Sequence, residues 1–167
     1  MWEPIHNKFE KYPAQEKVVK LLLERGFQVS AAGKVVSGNI EIPHVQIGKE
    51  INVDRRVVDA TAKHIVEDET LFDFFKHVRS IPFLAEVAPH LDLGVIIIIP
   101  DDGAEVGILS GVASVISDAN YSIRQAVSDD PFFNEAPRLT IITDKKISGD
   151  LVEKIRNVKG VKGVTIH

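Results

Sequence analysis

At residues 94–100 the sequence reads Gly94-Val95-Ile96-Ile97-Ile98-Ile99-Pro100, and its five central residues form the longest apolar run in the chain. Those five residues are all β-branched, and apolar and polar side chains do not alternate. The run therefore predicts a strand that is buried on both faces. It is too short to cross a bilayer, because a spanning helix needs about 20 apolar residues. We expect a soluble protein whose C-terminal half is organised around this strand.

Two β-α-β units fill the sequence from this strand to the C-terminus. The first is predicted as strand 94–99, helix 107–119 and strand 121–127, and the second as strand 138–143, helix 149–158 and strand 161–166. Crossovers of this kind are almost always right-handed, so both helices should lie on the same face of one sheet. The predicted fold of this half is therefore the ferredoxin-like βαββαβ arrangement.

The second face of that sheet needs a cover of its own, because both helices lie on the first. Apolar surface left in water forgoes about 25 cal/mol per Å². The cover can come from the residues that precede the strand, from the N-terminal half, or from a second copy of the chain. The sequence leaves these three alternatives open.

The N-terminal half reads as helix, hairpin, helix, turn and helix. Pro13 begins a helix that Gly26 ends, two short strands follow, and Pro43 suits the first turn of the next helix. Residues 47–58, Ile-Gly-Lys-Glu-Ile-Asn-Val-Asp-Arg-Arg-Val-Val, then resemble the helix-turn-helix of bacterial and archaeal regulators, with Asp54 as the N-cap of the last helix. The apolar positions that would hold its two helices together are Ile47, Ile51, Val53 and Val58. With the hairpin as a wing, this half is predicted to be a winged-helix-like domain, and the whole chain to be of the α+β class.

The last helix of this motif carries an exposed stripe that can enter a major groove. The stripe, at positions i, i+3, i+4 and i+7, consists of Arg56, Asp59, Ala60 and Lys63. We predict contacts to double-stranded DNA for four basic residues: Lys34 in the hairpin, Arg55, Arg56 and Lys63. Asp59 argues against DNA, because a carboxylate repels phosphates unless it reads a cytosine amino group or pairs with Lys63. A helix-turn-helix that serves only packing or protein contacts is the alternative.

The chain is predicted to consist of a helix-turn-helix domain (1–67), a helical connector (68–92) and a C-terminal domain (93–167). The net charge is −4, but residues 1–63 hold ten Lys and Arg against eight Asp and Glu, and the remainder holds ten against sixteen. A mildly basic N-terminal half permits DNA binding, whereas the acidic total argues against indiscriminate binding of nucleic acid.

Several classes of function are disfavoured by what the sequence lacks. It has no cysteine, which excludes disulfides and thiolate chemistry and fits a reducing cytoplasm. Residues 1–6 lack the basic and apolar regions of a signal peptide, so we expect a cytoplasmic protein without membrane contact. The six histidines show no ligand spacing, which predicts no metal site, and nothing indicates a cofactor. No nucleophile–base arrangement is present, and we predict that the protein is not an enzyme.

The C-terminal half further resembles the ACT domain, a small-molecule sensor of regulators and allosteric enzymes in amino-acid metabolism. The resemblance rests on the apolar strand, the acidic loop after it, Gly107-Ile108-Leu109 at the start of the helix, and residues 120–123 at the second strand. The whole chain resembles a family of predicted archaeal regulators of amino-acid metabolism that pair a helix-turn-helix with an ACT domain. The sequence departs from the ACT pattern at Val106, where proline is usual, and at Ala104, where amino-acid-binding members often have a polar residue.

The start of that helix is the predicted effector site. The free N–H groups of Gly107, Ile108 and Leu109 and the helix dipole favour an anion such as an amino-acid carboxylate. The nearby acidic residues Asp101, Asp102 and Glu105 can receive an ammonium group. By the resemblance, in which the ligand commonly lies between subunits of a dimer, the start of the second strand also contributes Ser122, Ile123 and Arg124.

Three functions remain open on the sequence. The first is a ligand-responsive transcriptional regulator of amino-acid metabolism that binds an amino acid and DNA as a homodimer or larger homo-oligomer. The second is a regulatory subunit that controls an amino-acid-metabolism enzyme by protein contact and does not bind DNA. The third is an ACT assembly module without a ligand.

Overall fold

The computed structural model describes residues 2–167, with a division between an N-terminal unit that ends at Pro82 and a C-terminal unit that begins at Phe83. The N-terminal unit contains five helices among these residues: α1 (Trp2–Phe9), α2 (Pro13–Arg25), α3 (His44–Glu50), α4 (Arg55–Glu67) and α5 (Glu69–His77). Three short strands lie between α2 and α3 in the sequence: β1 (Gln28–Val29), β2 (Val35–Ser37) and β3 (Ile40–Glu41). No helix among residues 2–167 combines the length and apolar character that a membrane crossing requires.

Helices α2, α4 and α5 pack around one apolar core in this unit. Its largest fully buried members are Phe9, Leu22, Ile65, Leu71 and Phe75. Side chains fix where two of the helices begin: the Asp54 carboxylate accepts the Arg56 N–H at the start of α4, and the Asp68 carboxylate accepts the Leu71 N–H at the start of α5. The core therefore includes buried residues from all five helices of this unit, α1 to α5.

The C-terminal unit has the element order β4 (Gly94–Pro100), α6 (Ile108–Asp118), β5 (Ile123–Ser128), β6 (Leu139–Thr143), α7 (Gly149–Arg156) and β7 (Val161–Ile166). The strands form an antiparallel sheet in the order β5-β6-β4-β7, with β4 hydrogen-bonded on both edges. Both helices pack on one face, against Ile96, Ile98 and Ile141. This is the ferredoxin-like βαββαβ fold, and the predicted α+β class is confirmed.

The opposite face of the sheet receives part of its cover from the same unit. A 3₁₀ helix (Ala88–Leu91) precedes β4, and its buried Ala88 packs with Val95 and Ile142. The Leu84 N–H also donates to the Gln125 side-chain oxygen at 3.0 Å. The preceding residues are thus one source of cover, while Ile99 stays 41% exposed on β4.

The structure differs from the sequence prediction at several boundaries. Helix α1 was not anticipated, and Gly38-Asn39 forms a turn between two paired strands, so the hairpin is a three-stranded meander. The segment 68–92, predicted as one connector, divides: α5 belongs to the N-terminal unit because Leu71 and Phe75 are buried in its core, and the 3₁₀ helix belongs to the C-terminal unit. Element types elsewhere agree with the predicted order.

Gly26 offers a direct test of the packing in the N-terminal unit. It ends α2 with φ of +62°, and a Cβ there would lie 2.4 Å from the Ser80 backbone nitrogen, whereas Gly33, with φ of +69°, faces open space. Gly33→Ala should cost only the left-handed backbone penalty of about 1–2 kcal/mol. We expect Gly26→Ala to lower the free energy of unfolding, measured in urea, by clearly more than Gly33→Ala. Equal losses would contradict the observed passage of residues 79–80 over α2.

Candidate functional sites

The turn between α3 and α4 has the geometry that a helix-turn-helix requires. Asn52 adopts φ of +55°, a left-handed conformation that asparagine tolerates better than most residues. The Val53 N–H donates to the Gly48 carbonyl at 2.9 Å, and a Cβ at Gly48 would lie only 2.7 Å from the Val53 oxygen. Glycine at position 48 thus lets the turn fold back closely on α3.

Helix α4 buries one face and exposes the other. Val58, Ala62 and Ile65 are buried, and the Thr61 hydroxyl donates to the Val57 carbonyl at 2.7 Å. The predicted DNA-contact residues are all exposed: Lys34, Arg55, Arg56 and Lys63. The structure therefore places three of them on the outer face of α4 and the fourth in the turn region of the β-meander.

Most of these cations already have an acidic neighbour. Lys34 pairs with Glu41 at 3.3 Å, Arg55 with Asp59 at 3.2 Å, and Lys63 with Glu67 at 3.6 Å, so Lys63 does not pair with Asp59. Within residues 2–167 no ion pair involves Arg56. Exposed ion pairs are worth about 0–1 kcal/mol each, so the paired cations can exchange a carboxylate for a phosphate at small cost.

Asp59 on α4 has a structural partner that the sequence did not predict. His44 Nδ1 lies 2.6 Å from Asp59 Oδ1, and His44 Nε2 accepts the Val35 N–H at 3.3 Å. Because a backbone N–H can only donate, Nε2 must be unprotonated and Nδ1 must carry the hydrogen that is donated to Asp59. The second oxygen of Asp59 accepts from Arg55 Nε. Asp59 thus links the β-meander, α3 and the first turn of α4.

These contacts set the ionisation of Asp59. The hydrogen bond from His44 lowers the pKa of the Asp59 carboxyl below its usual value, with a smaller lowering from Arg55 and a partial offset from burial. The carboxylate at position 59 is consequently held in its charged form by two partners within the unit.

In the C-terminal unit, hydrogen bonds within the acidic loop after β4, and from this loop to the turn before β7, fix the position of the loop. The Asp101 N–H donates to the Gly160 carbonyl, and Asp102 Oδ1 accepts the Ala104 N–H, both at 2.9 Å. Glu105 Oε1 lies 3.5 Å from Lys159 Nζ, and its carboxylate packs directly over Gly160. Of the three predicted acceptors of an ammonium group, Glu105 is therefore already paired.

The start of α6 is open. Gly107 is its N-cap, with φ of +95°, and no side chain caps the helix, whereas Ser148 caps α7 through the Leu151 N–H. A cavity of about 120 Å³ adjoins this end, and its lining includes Glu105, Gly107, Ile108, Leu109, Ser128 and Arg138. The residues predicted to present free amides thus lie at one cavity.

The other half of the predicted effector site lies elsewhere in the unit. Ile123 pairs with Thr143, which also pairs with Gly94 at the beginning of β4, so Ser122, Ile123 and Arg124 lie at the end of the sheet remote from Gly107. A single chain does not bring the two groups together. Strand β5 instead reaches the Gly107 end with Ser128, and no signal in the sequence pointed to that residue.

A second and larger cavity, of about 520 Å³, lies beside the first. It is bounded by residues 99–103, the loop 131–138 and Lys162. Phe132 in that loop is 72% exposed. Asp129 and Asp130 accept backbone N–H groups within the loop, as expected for turn residues. Among residues 2–167, no three His, Asp or Glu side chains gather as a metal site requires.

No family model matches the sequence, and no curated protein matches it. Solved structures similar to the chain include an AsnC family transcriptional regulator from Agrobacterium tumefaciens (11% identity, TM-score 0.31, covering 92% of this chain and 86% of that one). Another is the leucine response regulatory protein of Mycobacterium tuberculosis (15%, 0.28, 92% and 90%). A third is the CheA P2 domain in complex with the response regulator CheY from Thermotoga maritima (11%, 0.36, 46% and 95%). At identities and TM-scores this low, the similarity carries no inference about function.

The Asp59 contacts predict a specific acid sensitivity. Because the folded-state pKa of Asp59 lies below its ordinary value of 3.8, the ionised carboxylate contributes stability above that value and loses it as the pH falls through the lower folded-state pKa. We expect the stability of the wild type to fall more steeply in acid than that of Asp59→Asn, measured by urea unfolding at a series of pH values. Parallel curves would show that the His44–Asp59 contact does not form in solution.

Proposed function

We propose that this protein is a ligand-responsive transcriptional regulator of amino-acid metabolism that binds DNA through α4. The observation that carries the proposal is the exposed face of α4, where Arg55, Arg56 and Lys63 project from a helix whose opposite face is fixed in a core. A helix of this length held rigidly behind a tight turn suits insertion into a major groove. Asp59 keeps its hydrogen bond from His44 even if Arg55 leaves it for a phosphate, which removes part of the objection that its carboxylate raised.

The proposed sensor is the C-terminal unit. Its effector, an amino acid, would bind beside the loop 101–107, which adjoins both cavities. We further propose that two copies associate through the sheet, which would bring the Ser122–Arg124 group of one copy toward the loop of the other. An effector that prefers one dimer geometry would then change the spacing of the two α4 helices. The proposal includes a cytoplasmic location and no catalytic activity.

A regulatory subunit that contacts an amino-acid-metabolism enzyme and does not bind DNA is the second candidate. It is favoured by the ion pairs that occupy Lys34, Arg55 and Lys63, and by the net charge of −4. Co-purification with such an enzyme that resists nuclease treatment would support it.

The DNA-binding proposal makes Arg56 the critical side chain, because it is exposed and forms no ion pair with any of residues 2–167 that DNA would have to break. We expect Arg56→Gln to weaken binding of the chain's own upstream DNA by about 5- to 150-fold, as the loss of one bidentate base contact would. Fluorescence anisotropy with a labelled duplex measures this. Lys17→Gln, an exposed change on α2, is the matched control and should leave the affinity unchanged.

The salt dependence of the same titration separates DNA binding from unspecific adhesion. Each phosphate contact that is lost should reduce the slope of log affinity against log salt by about one. We expect a reduction of this kind for Lys63→Gln. The absence of any DNA binding at low salt by the wild type would remove the proposal and favour the enzyme-regulating alternative.

A further inference from the structure

We propose that the 520 Å³ cavity at the carboxyl end of β4 is a binding site for a small zwitterion, with Arg138 and Lys162 holding its carboxylate and Asp101 and Asp102 holding its ammonium group. This inference rests on the proposed function in one respect: the zwitterion would be the regulator's effector. It assigns the carboxylate to two cationic side chains that the sequence did not single out, rather than to the amides of α6.

The two cations flank the end of β4 from the strands on either side. Arg138 directly precedes β6, and Lys162 lies on β7. Ile99 pairs with Gly163 but Pro100 pairs with Val161, so Lys162 is the extra residue of a β-bulge and has no partner on β4. Bulges of this kind redirect a side chain and are common beside binding sites. The bulge in β7 and the start of β6 thus place both cations in the lining of one cavity.

The two aspartates lie in the segment that directly follows β4. Asp101 and Asp102 follow Pro100 directly, and only one oxygen of Asp102 is used in the turn, by the Ala104 N–H. Within residues 2–167, none of the four charged side chains forms an ion pair with another protein group. Glu135 adds a third carboxylate to the lining, so the cavity disfavours a ligand with net negative charge.

The cavity is built by a close approach of two loops. Gly103 lies against both prolines of the opposite loop, and a Cβ at this position would be 2.3 Å from Pro137 Cγ and 3.1 Å from Pro131 Cβ. The opposite loop is closed by two hydrogen bonds between Asp129 and Arg138: the Asp129 N–H donates to the Arg138 carbonyl at 2.9 Å, and Asp129 Oδ2 accepts the Arg138 N–H at 3.1 Å. Walls held in this way are largely formed before a ligand arrives, which lowers the entropic cost of binding.

Two pairs of opposite charges around one cavity select for a molecule that carries both charges. A ligand with only a carboxylate would leave the aspartates facing each other without a cation, and a ligand with only an amine would leave Arg138 and Lys162 unpaired. The four side chains are exposed in the free chain, so the zwitterion is preferred because it gains ion pairs with both sets of charges, whereas either half gains one set and is repelled by the other. The volume lies within the range of about 300–1,000 Å³ that is typical of small-molecule sites.

Isothermal titration calorimetry of the full chain tests this inference. The probes are the twenty free amino acids, and for any that bind, its N-acetyl form, which lacks the ammonium, and its amide, which lacks the carboxylate. We expect at least one free amino acid to bind and both of its blocked forms to bind at least 10-fold more weakly. Arg138→Gln and Asp101→Asn should each weaken binding by about 10- to 100-fold, as loss of a hydrogen bond to a charged group does.

Lys154→Gln and Asp150→Asn, both exposed changes on α7, are the matched controls and should bind as the wild type does. No binding of any free amino acid at millimolar concentration, equal binding of a blocked form, or full affinity in Arg138→Gln would each overturn the zwitterion site. A circular dichroism spectrum and melting curve equal to the wild type establish that a variant is folded. If the zwitterion fails but the upstream DNA still binds with sensitivity to Arg56→Gln, only this inference is lost; if the zwitterion binds and DNA does not, only the DNA-binding role is lost.

Discussion

The C-terminal unit depends on the burial of β4. This strand is hydrogen-bonded on both edges, to β6 and β7, and its side chains Val95, Ile96 and Ile98 are buried on alternate faces. Because β4 needs a hydrogen-bonded partner on each edge and apolar cover on each face, it occupies an inner position in the sheet. Helices α6 and α7 cover one face, and the 3₁₀ helix covers part of the other. Both cavities lie where the strand ends, because the backbone must leave the sheet there and the neighbouring strands continue to supply side chains.

The N-terminal unit depends on a different interaction. Its helix-turn-helix carries the Asp59 carboxylate on α4, and this carboxylate must be bound by other groups of the unit. The contacts of Asp59 with His44 and Arg55 join three elements that apolar packing alone would hold only at their buried faces. The near balance of cations and anions around α4 implies that the surface has no strong field of its own. Any DNA contact would then rest on geometry and on exchange of ion pairs more than on long-range attraction.

Much of this architecture could be predicted from the sequence, because the signals were local. The run Val95–Ile99, the helical period of the two C-terminal helices and Asp54 as an N-cap each act within one turn or one strand. The contacts that sequence reasoning missed are all long-range. His44 and Asp59 are fifteen residues apart, and Lys162 enters the cavity through a bulge that depends on register. Within one chain Ser122–Arg124 and Gly107 lie at opposite ends of the sheet, because a strand's start and end lie about 3.3 Å per residue apart, and their grouping across two copies stays a prediction.

We expect a small molecule bound at the end of β4 to change the affinity of α4 for DNA, and linkage makes this change directly measurable. The measurement is the affinity of the wild type for its labelled upstream duplex, by fluorescence anisotropy, with and without a saturating amino acid identified by calorimetry. The account predicts a change in DNA affinity of about 5-fold or more, matched by an equal change in amino-acid affinity when DNA is present. Superimposable DNA titrations with and without the bound amino acid would contradict it.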